Sequence, residues 1–207
     1  MKKVIVGMSG GIDSSMAALL LKNKGYEVIG ITLKHLGEDD SENSNSKTCC
    51  SLDDIYDAKR VCDDLEIPHY IVNLTEPFKE IVVDYFIEEY SKGRTPNPCM
   101  VCNRNIKLGK LIEESLKLGA HYIATGHYAK IEYNDEYNQY VLEKCINTNK
   151  DQSYVLYTLP KEILAKVLFP LGDFSSKDEI RQIAKENNLQ RCKPRGLDGS
   201  HTYPERP

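Results

Sequence analysis

The apolar residues of this chain follow two spacings, one typical of buried strands and the other of amphipathic helices. Four short runs are apolar enough for strands that are buried on both faces of a sheet: 4–6, 28–31, 69–72 and 122–126. Four longer segments carry apolar residues at helical spacing: 14–24, 51–65, 77–90 and 106–118. This alternation predicts an α/β fold, a Rossmann-like parallel sheet with helices on both faces.

The segments outside this alternation predict smaller features. Polar and apolar residues alternate over 130–144, around Asn134-Asp135-Glu136, which predicts a β-hairpin at the edge of the sheet. The polar stretch 37–46 is predicted to be a mobile loop, and Ser51 to cap the helix that follows it. From Cys192 onward the chain has almost nothing to bury, so an unstructured tail is expected.

Composition narrows the class of protein. With 207 residues, of which 41% are hydrophobic, the chain can bury one core of ordinary domain size. Its net charge of -4 predicts no broad affinity for nucleic acid. Five basic residues are nevertheless grouped in one stretch and form a candidate basic surface: Lys92, Arg94, Arg104, Lys107 and Lys110.

Neither a membrane span nor a signal peptide is indicated. No apolar run reaches the roughly 18 residues that a membrane-spanning helix needs, and the N-terminal run is too short for a secretion signal. We therefore expect a cytoplasmic protein that does not contact a membrane. In a reducing compartment, the seven cysteines are expected to serve redox, sulfur or metal chemistry, or to pack in the core, rather than to form a disulfide framework.

A glycine-rich turn stands between the first predicted strand and the first predicted helix. Ser9-Gly10-Gly11 follows the strand, and the helix opens on Asp13 and Ser14. Backbone N–H groups and a helix N-terminus converge in such a turn, which is how many proteins hold phosphate. The lysine that ends a Walker A loop is absent, so an ordinary kinase or GTPase loop is excluded. The motif resembles the pyrophosphate loop of the ATP pyrophosphatase superfamily, which implies cleavage of ATP between its α and β phosphates.

A second candidate site lies in the stretch from Thr95 to Arg104. Pro96 and Pro98 are predicted to keep the chain extended as far as Cys99, with a helix beginning after Cys102. A thiolate at a helix N-terminus near arginines is stabilised. The pair could form a reversible disulfide, pass a persulfide between thiols, or ligate a metal. Zinc normally needs a second pair of ligands, and an iron–sulfur cluster would need a third thiol.

Six motifs in order along the chain are similar to those of the tRNA-specific 2-thiouridylase family (MnmA). They are Gly7–Ser14, Cys49–Asp54, Thr95–Asn103, Ala124–Ala129, Lys150–Tyr154 and Phe169–Gly172. The resemblance implies the fold of that family, an adenine nucleotide alpha hydrolase-like PP-loop fold. The similarity runs from residue 1 to about residue 189. It implies a transferase that adenylates the 2-oxygen of the wobble uridine of tRNA with ATP and replaces that oxygen with sulfur.

The resemblance also implies binding partners and site residues. It gives tRNA as substrate, ATP and Mg²⁺ as cofactors, and a persulfide donor, either a cysteine desulfurase or a sulfur relay protein. It assigns ATP binding to Gly7, Met8, Ser9, Gly10, Gly11, Ile12, Asp13, Ser14, Leu33 and Gly126. It assigns tRNA binding to Asn97, Pro98 and Cys99, which would face the target base, and to Lys150, Asp151 and Gln152. Cys102 would be the catalytic nucleophile, with Cys99 as a second catalytic residue.

Three residue roles stay open at this point. Asp13 would help to place magnesium, or stand only as an acid favoured by the helix dipole. His127 would contact phosphate or substrate, or only make a structural hydrogen bond. Many family members have aspartate where this chain has Cys99, and the Cys-x-x-Cys variant is associated with an iron–sulfur cluster. Cys99 and Cys102 are therefore either cluster ligands or redox thiols.

The family pattern is lost near the end of the chain. Family members carry another catalytic cysteine, which would fall near His201, and two β-rich domains follow it; Cys192 lies too early to take that role. We therefore expect a truncated or frameshifted chain with a catalytic domain over 1–170, the helical start of a linker over 171–189 and a tail over 190–207. The alternatives are another adenylating enzyme with a small substrate, or an inactive fragment that binds ATP or tRNA.

Overall fold

The computed structural model describes residues 1–35, 52–187 and 189. These residues form seven strands: β1 (Lys3–Gly7), β2 (Glu27–Lys34), β3 (His69–Asn73), β4 (Tyr122–Ala124), β5 (Lys130–Asn134), β6 (Gln139–Glu143) and β7 (Val167–Leu168). Five of them form one parallel sheet in the order β3-β2-β1-β4-β7. The chain therefore adds β2 and β3 on one side of β1 and then crosses over to add β4 and β7 on the other side. In such sheets, ligands bind beyond the carboxyl ends of the strands where this reversal occurs.

Six helices accompany the sheet in the described part of the chain: α1 (Ile12–Asn23), α2 (Leu52–Asp64), α3 (75–91), α4 (98–117), α5 (Lys161–Leu164) and α6 (Lys177–Glu186). A π-helical stretch interrupts α3 at Lys79–Val83 and α4 at Cys102–Leu108. Short 3₁₀ turns occur at Thr148–Lys150 and Ser153–Val155. Among the described residues, no helix is both long enough and apolar enough to cross a membrane.

The central strand explains why the sheet is covered on both faces. Val4, Ile5 and Val6 are all inaccessible to solvent. Val4 and Val6 pack in a cluster with residues of α1, α2 and α6, whereas Ile5 packs in a second cluster with residues of α3 and α4. Neighbouring β1 side chains point to opposite faces, so each face needs its own helical layer. The predicted α/β sheet is confirmed.

Two strand predictions need comment. The predicted hairpin is confirmed as β5 and β6, paired from Lys130↔Glu143 to Asn134↔Gln139, but it forms a separate two-stranded sheet. The pattern gave no sign of β7, because a strand of two residues is too short to show a periodicity. The predicted loop over 37–46, the Ser51 cap and the predicted tail over 190–207 lie outside the described residues.

The start of α4 differs from the prediction. The helix begins at Pro98 and not after Cys102, because the Asn97 Oδ1 accepts a hydrogen bond from the Met100 N–H at 3.3 Å. Proline suits the first position of a helix, where its missing N–H would have no partner in any case. The prediction that Pro98 keeps the chain extended was therefore wrong. Both Cys99 and Cys102 lie inside the first turns of α4.

The last described helix is shorter than the helical spacing over 172–189 suggests. It begins after Ser176, whose Oγ accepts a hydrogen bond from the Glu179 N–H at 3.2 Å. Its buried residues Ile180 and Ala184 pack in the same apolar cluster as residues of α1 and β1. The helix is therefore part of the core on that face of the sheet.

Candidate active site

The loop from Met8 to Gly11 leaves β1 at its carboxyl end and is fixed to β2. The Met8 N–H donates to the Ile31 carbonyl at 2.8 Å, and the Thr32 hydroxyl donates to the Met8 carbonyl at 3.0 Å. Gly7 also pairs with Ile31 in the strand register. The loop is therefore held at the sheet edge before α1 begins.

Serine hydroxyls hold the rest of the loop together. The Ser14 Oγ accepts from the Ser9 N–H at 3.1 Å, lies 3.1 Å from the Ser9 Oγ, and donates to the Gly11 carbonyl at 3.0 Å. The Ser15 Oγ donates to the same carbonyl at 2.9 Å. The first N–H groups of α1 point away from the helix along its axis, and the helix dipole favours an anion there. The geometry suits phosphate oxygens.

Gly10 lets α2 pack against this loop. Its φ is +73°, and a Cβ at this position would lie 2.5 Å from the Asp54 carbonyl oxygen and 3.1 Å from the Asp57 Cβ. Because the first of these neighbours is backbone, a side chain could enter only if α2 moved away.

Replacing Gly10 by alanine is expected to destabilise the protein strongly. Gly93 has the same φ of +73° but nothing within 4 Å of its Cβ position, so Gly93→Ala isolates the cost of the backbone conformation. We expect Gly10→Ala to lower the free energy of unfolding by about 1–3 kcal/mol more than Gly93→Ala does, because only Gly10→Ala forces α2 to move. Urea denaturation of both variants measures the difference. Equal losses of unfolding free energy in the two variants would contradict this, because they would mean that α2 can move away at no energetic cost.

The other predicted ATP-site residues lie at the same edge of the sheet. Leu33 is near the end of β2, two residues beyond Ile31, which pairs with Gly7, and its side chain is 7% exposed. Gly126 follows β4, and a Cβ there would lie 2.5 Å from the Asp13 carbonyl carbon and 2.7 Å from the Ser14 nitrogen. The segment after β4 is therefore in contact with the first turn of α1.

Both carboxylate oxygens of Asp13 have partners. The Tyr128 hydroxyl donates to Oδ1 at 2.8 Å, and the Lys177 Nζ lies 3.6 Å from Oδ2. Burial raises the pKa of Asp13, and the Tyr128 hydrogen bond and Lys177 oppose this rise. Burial likewise raises the pKa of the Tyr128 phenol, with Asp13 as the next cause. Sequence reasoning missed both partners; the only signal was that Tyr128 belongs to the 124–129 motif.

His127 has a structural partner. Its Nδ1 lies 2.7 Å from the Thr125 Oγ1, and its ring meets the ring of Phe169 edge-on at 6.0 Å. Burial, followed by the charge of Lys107, lowers the pKa of His127 to about 3. The imidazole is therefore neutral at pH 7 and offers no positive charge to a phosphate. These contacts favour the structural interpretation of His127.

The two cysteines of the predicted site differ in exposure. Cys99 is exposed, whereas Cys102 is 8% exposed and packs in the same apolar cluster as Leu33 and Ile106. Cys99 and Cys102 are three apart on α4, and residues at this spacing are neighbours on one face of a helix. Because α4 runs toward the start of β4, its first turn lies toward the carboxyl edge of the sheet, where the glycine loop also lies.

The described residues do not complete a metal site around these thiols. No group of three or more His, Cys, Asp or Glu side chains among them is arranged to hold a metal ion. Cys62 is buried in α2, where burial raises the pKa of its thiol to about 12, and the Cys145 Sγ donates to the Asn147 carbonyl at 3.0 Å. The remaining cysteines, Cys49, Cys50 and Cys192, lie outside the described residues.

The predicted tRNA-binding residues also make contacts within the chain. Asn97 caps α4. The Gln152 Oε1 accepts from the Tyr128 N–H at 3.0 Å, and the Gln152 N–H donates to the Tyr128 carbonyl at 2.8 Å. Asp151 accepts from the Cys145 N–H at 3.0 Å and from the Ser153 hydroxyl at 2.6 Å. The half-buried Lys150 contributes positive charge near Asp13.

The candidate basic surface is partly neutralised. Lys92 pairs with Glu88, Arg94 pairs with Glu89 at 2.9 Å, and Lys110 pairs with Glu113 at 2.8 Å. In each pair the carboxylate cancels the positive charge that would otherwise attract a phosphate backbone. The five basic residues therefore attract a polyanion less strongly than their number suggests.

Comparison with known proteins identifies relatives over nearly the whole chain. The model of a family described as the tRNA methyl transferase HUP domain matches residues 2–196. A protein of Caldanaerobacter subterraneus named tRNA-specific 2-thiouridylase is 52% identical over 188 residues, which cover 90% of this chain and 51% of the relative. One of the same name from Clostridioides difficile is 50% identical over 188 residues, 91% of this chain and 52% of the relative. The chain thus spans about half the length of the curated relatives it matches.

Solved structures share the fold at low identity. A 4-thiouridine synthetase in complex with RNA and bound ATP superposes with a TM-score of 0.59 at 19% identity, covering 91% of this chain and 41% of that one. An NMN synthetase from Francisella tularensis gives 0.53 at 17% identity, covering 91% and 62%. The predicted PP-loop type of fold is confirmed. The chain belongs to the tRNA methyl transferase HUP domain family, and its predicted relationship to the tRNA-specific 2-thiouridylases is confirmed.

Proposed function

We propose that this chain carries the ATP-dependent catalytic site of a tRNA uridine 2-sulfurtransferase. The observation that supports the proposal is the topology: the serine- and glycine-rich loop follows β1 at the carboxyl edge of the sheet, and the helix that carries the paired cysteines starts toward the same edge. A phosphate-binding loop alone would suit many adenylating enzymes. Thiols on a helix that starts toward the same edge of the sheet supply a reason for the adenylation, namely sulfur transfer.

In the first step, ATP would activate the substrate oxygen. The loop from Gly7 to Ser14 would hold the phosphates, with Leu33 and Gly126 near the adenosine. The 2-oxygen of the wobble uridine attacks the α phosphorus, the bond between the α phosphorus and its bridging oxygen to the β phosphorus breaks, and pyrophosphate leaves. The N–H groups of the loop would stabilise the departing charge. The uridine carbon then carries AMP, a far better leaving group than the original oxygen.

Magnesium fits the site as a partner of ATP. Mg²⁺ commonly uses one or two carboxylates together with phosphates and water, and Asp13 supplies a carboxylate at the helix N-terminus. When bound, the ion would neutralise charge on the pyrophosphate. An iron–sulfur cluster does not fit the described residues, which offer Cys99 and Cys102 without a third ligand.

In the second step, Cys102 would deliver sulfur. A donor protein would load it as a persulfide, whose terminal sulfur attacks the uridine carbon while the bond to the AMP oxygen breaks and AMP leaves. The Cys99 thiolate then attacks the Cys102 sulfur and breaks the sulfur–sulfur bond. The base keeps the sulfur, and Cys99 and Cys102 are left as a disulfide that a cellular dithiol reduces.

The substrate contacts follow the same arrangement. Asn97, Pro98 and Cys99 would face the target base, and Lys150, Asp151 and Gln152 would contact tRNA near the ATP site. A cysteine desulfurase or a sulfur relay protein would be the donor, and the cytoplasm would be the compartment that holds both partners. The contacts of Asn97, Asp151 and Gln152 within the chain would fix the shape of this surface.

Analysis of tRNA nucleosides tests the proposal. The purified chain is incubated with unmodified tRNA, ATP, Mg²⁺, a dithiol and a persulfide-loaded cysteine desulfurase as the sulfur source, and nucleosides are then measured by mass spectrometry. We expect 2-thiouridine at the wobble position in the reaction with ATP and none in the reaction without it. Cleavage of ATP without any thiouridine would contradict the sulfur-transfer step.

A further inference from the structure

The ATP site includes a contact from the last described helix. Lys177 is the first residue of α6, and its Nζ lies 3.6 Å from the Asp13 Oδ2 on the first turn of α1. Both side chains are largely buried, with 13% and 17% of their surface exposed. This ion pair therefore differs from the exposed pairs elsewhere on the surface, which contribute little.

The packing of α6 explains why Lys177 reaches this position. Ile180 and Ala184, on the same helix, are 0% and 1% exposed and belong to the cluster that contains Ala17 and Leu21 of α1. Ser176 caps the helix at its start. The contact between α6 and α1 is thus apolar along its length and ionic at the end nearest the glycine loop.

The ion pair supplies a positive charge that the glycine loop lacks. The Ser-Gly-Gly motif brings no cation of its own, and Asp13 adds a carboxylate in the first turn of α1, the helix whose N-terminus would face the phosphates. An uncompensated carboxylate beside ATP would repel it. Lys177 holds one carboxylate oxygen while the Tyr128 hydroxyl holds the other at 2.8 Å, so the carboxylate has both a counter-charge and a fixed orientation.

We propose that Lys177 is a positioning residue of the ATP site that acts through Asp13, neutralising and orienting its carboxylate so that the loop accepts the triphosphate. This inference rests on the proposed function, because it takes ATP as the ligand. It extends the site to α6, which lies beyond residue 170, where the sequence motifs suggested that the catalytic domain ends.

Binding of α,β-methylene-ATP, which cannot be cleaved between the α and β phosphates, tests the proposal by calorimetry in the presence of Mg²⁺. We expect Lys177→Met to weaken binding about tenfold, because the Asp13 charge is then uncompensated. Lys177→Arg is expected to stay within about threefold of the unchanged chain, because it keeps the charge. Lys3→Met is the matched control: it removes a lysine that lies 3.5 Å from Glu27 at the opposite end of β1 and should leave binding unchanged.

The Asp13→Asn background separates this role from a direct contact with phosphate. If Lys177 acts through Asp13, adding Lys177→Met to Asp13→Asn changes affinity by less than about twofold. A tenfold further loss in that background would overturn the proposal, and so would unchanged affinity in Lys177→Met itself. Tyr128→Phe perturbs the Asp13 carboxylate without changing α6. We expect it to lower nucleotide affinity about threefold, because the carboxylate loses its hydrogen bond from Tyr128. Failure of the unchanged chain to bind the nucleotide would instead refute the proposed function.

Discussion

Replacing Cys102 by serine is expected to abolish 2-thiouridine formation while leaving ATP affinity within about twofold of the unchanged chain. Serine has nearly the same shape, so the apolar cluster around this 8% exposed side chain should persist. A hydroxyl, however, can carry no persulfide, so the sulfur-delivering step is lost. Thiouridine by mass spectrometry with a persulfide-loaded donor, and nucleotide affinity by calorimetry, measure the two effects.

Cys99→Ser is the matched control for this experiment. Cys99 lies one turn earlier on α4 and is exposed, so the change costs little packing. Without Cys99 to resolve the intermediate, the product should stay attached to Cys102 through a sulfur–sulfur bond until an added dithiol releases it. Multiple turnovers by Cys102→Ser would remove Cys102 from the mechanism.

Replacing Asp13 by asparagine is expected to lower AMP release by about 100-fold, the loss typical of removing one preorganised electrostatic group. Asparagine preserves the shape of the side chain and can still accept the Tyr128 hydrogen bond, but it carries no charge to pair with Lys177 or a metal ion. The folded structure should survive, because burial raises the pKa of Asp13 and a neutral group there is less costly to bury. Steady-state AMP release measures the effect.

Asp178→Asn shows whether Asp13 is more than a helix-terminal acid. Asp178 also lies in the first turn of a helix, but its side chain is 87% exposed and pairs only with the neighbouring Arg181 among the described residues. Both substitutions remove the same interaction with a helix dipole. We expect Asp178→Asn to leave AMP release unchanged. Equal, small effects of the two substitutions would mean that Asp13 acts only through the helix dipole.

The fold could be predicted from the sequence because its signals are local and repeated. The apolar run of β1 is buried on both faces, and helical spacing follows it, so the layers of the sheet could be inferred without knowing any contact. The glycine loop was predictable for the same reason, since Ser9 to Ser14 carry their own turn chemistry. Strand β7 was not, because two residues show no periodicity.

The site could be predicted only in part, because some of its contacts join distant parts of the chain. Nothing near Asp13 in the sequence indicates that Tyr128 and Lys177 would bind its two oxygens. The start of α4 was wrongly predicted for a local reason: Asn97 before Pro98 is a helix cap followed by a favoured first residue, and proline was interpreted as a helix breaker instead. That error placed the cysteines before the helix and not within it.

AMP release with and without tRNA tests the central claim most directly. The purified chain is incubated with ATP, Mg²⁺, a dithiol and a persulfide-loaded sulfur donor in three reactions: without tRNA, with unmodified tRNA whose wobble base is uridine, and with the same tRNA carrying cytidine there. We expect AMP and pyrophosphate in equal amounts only with the uridine tRNA. Equal AMP release in all three reactions would contradict this and indicate a different acceptor, and no AMP in any of them would leave a chain that binds nucleotide without catalysis.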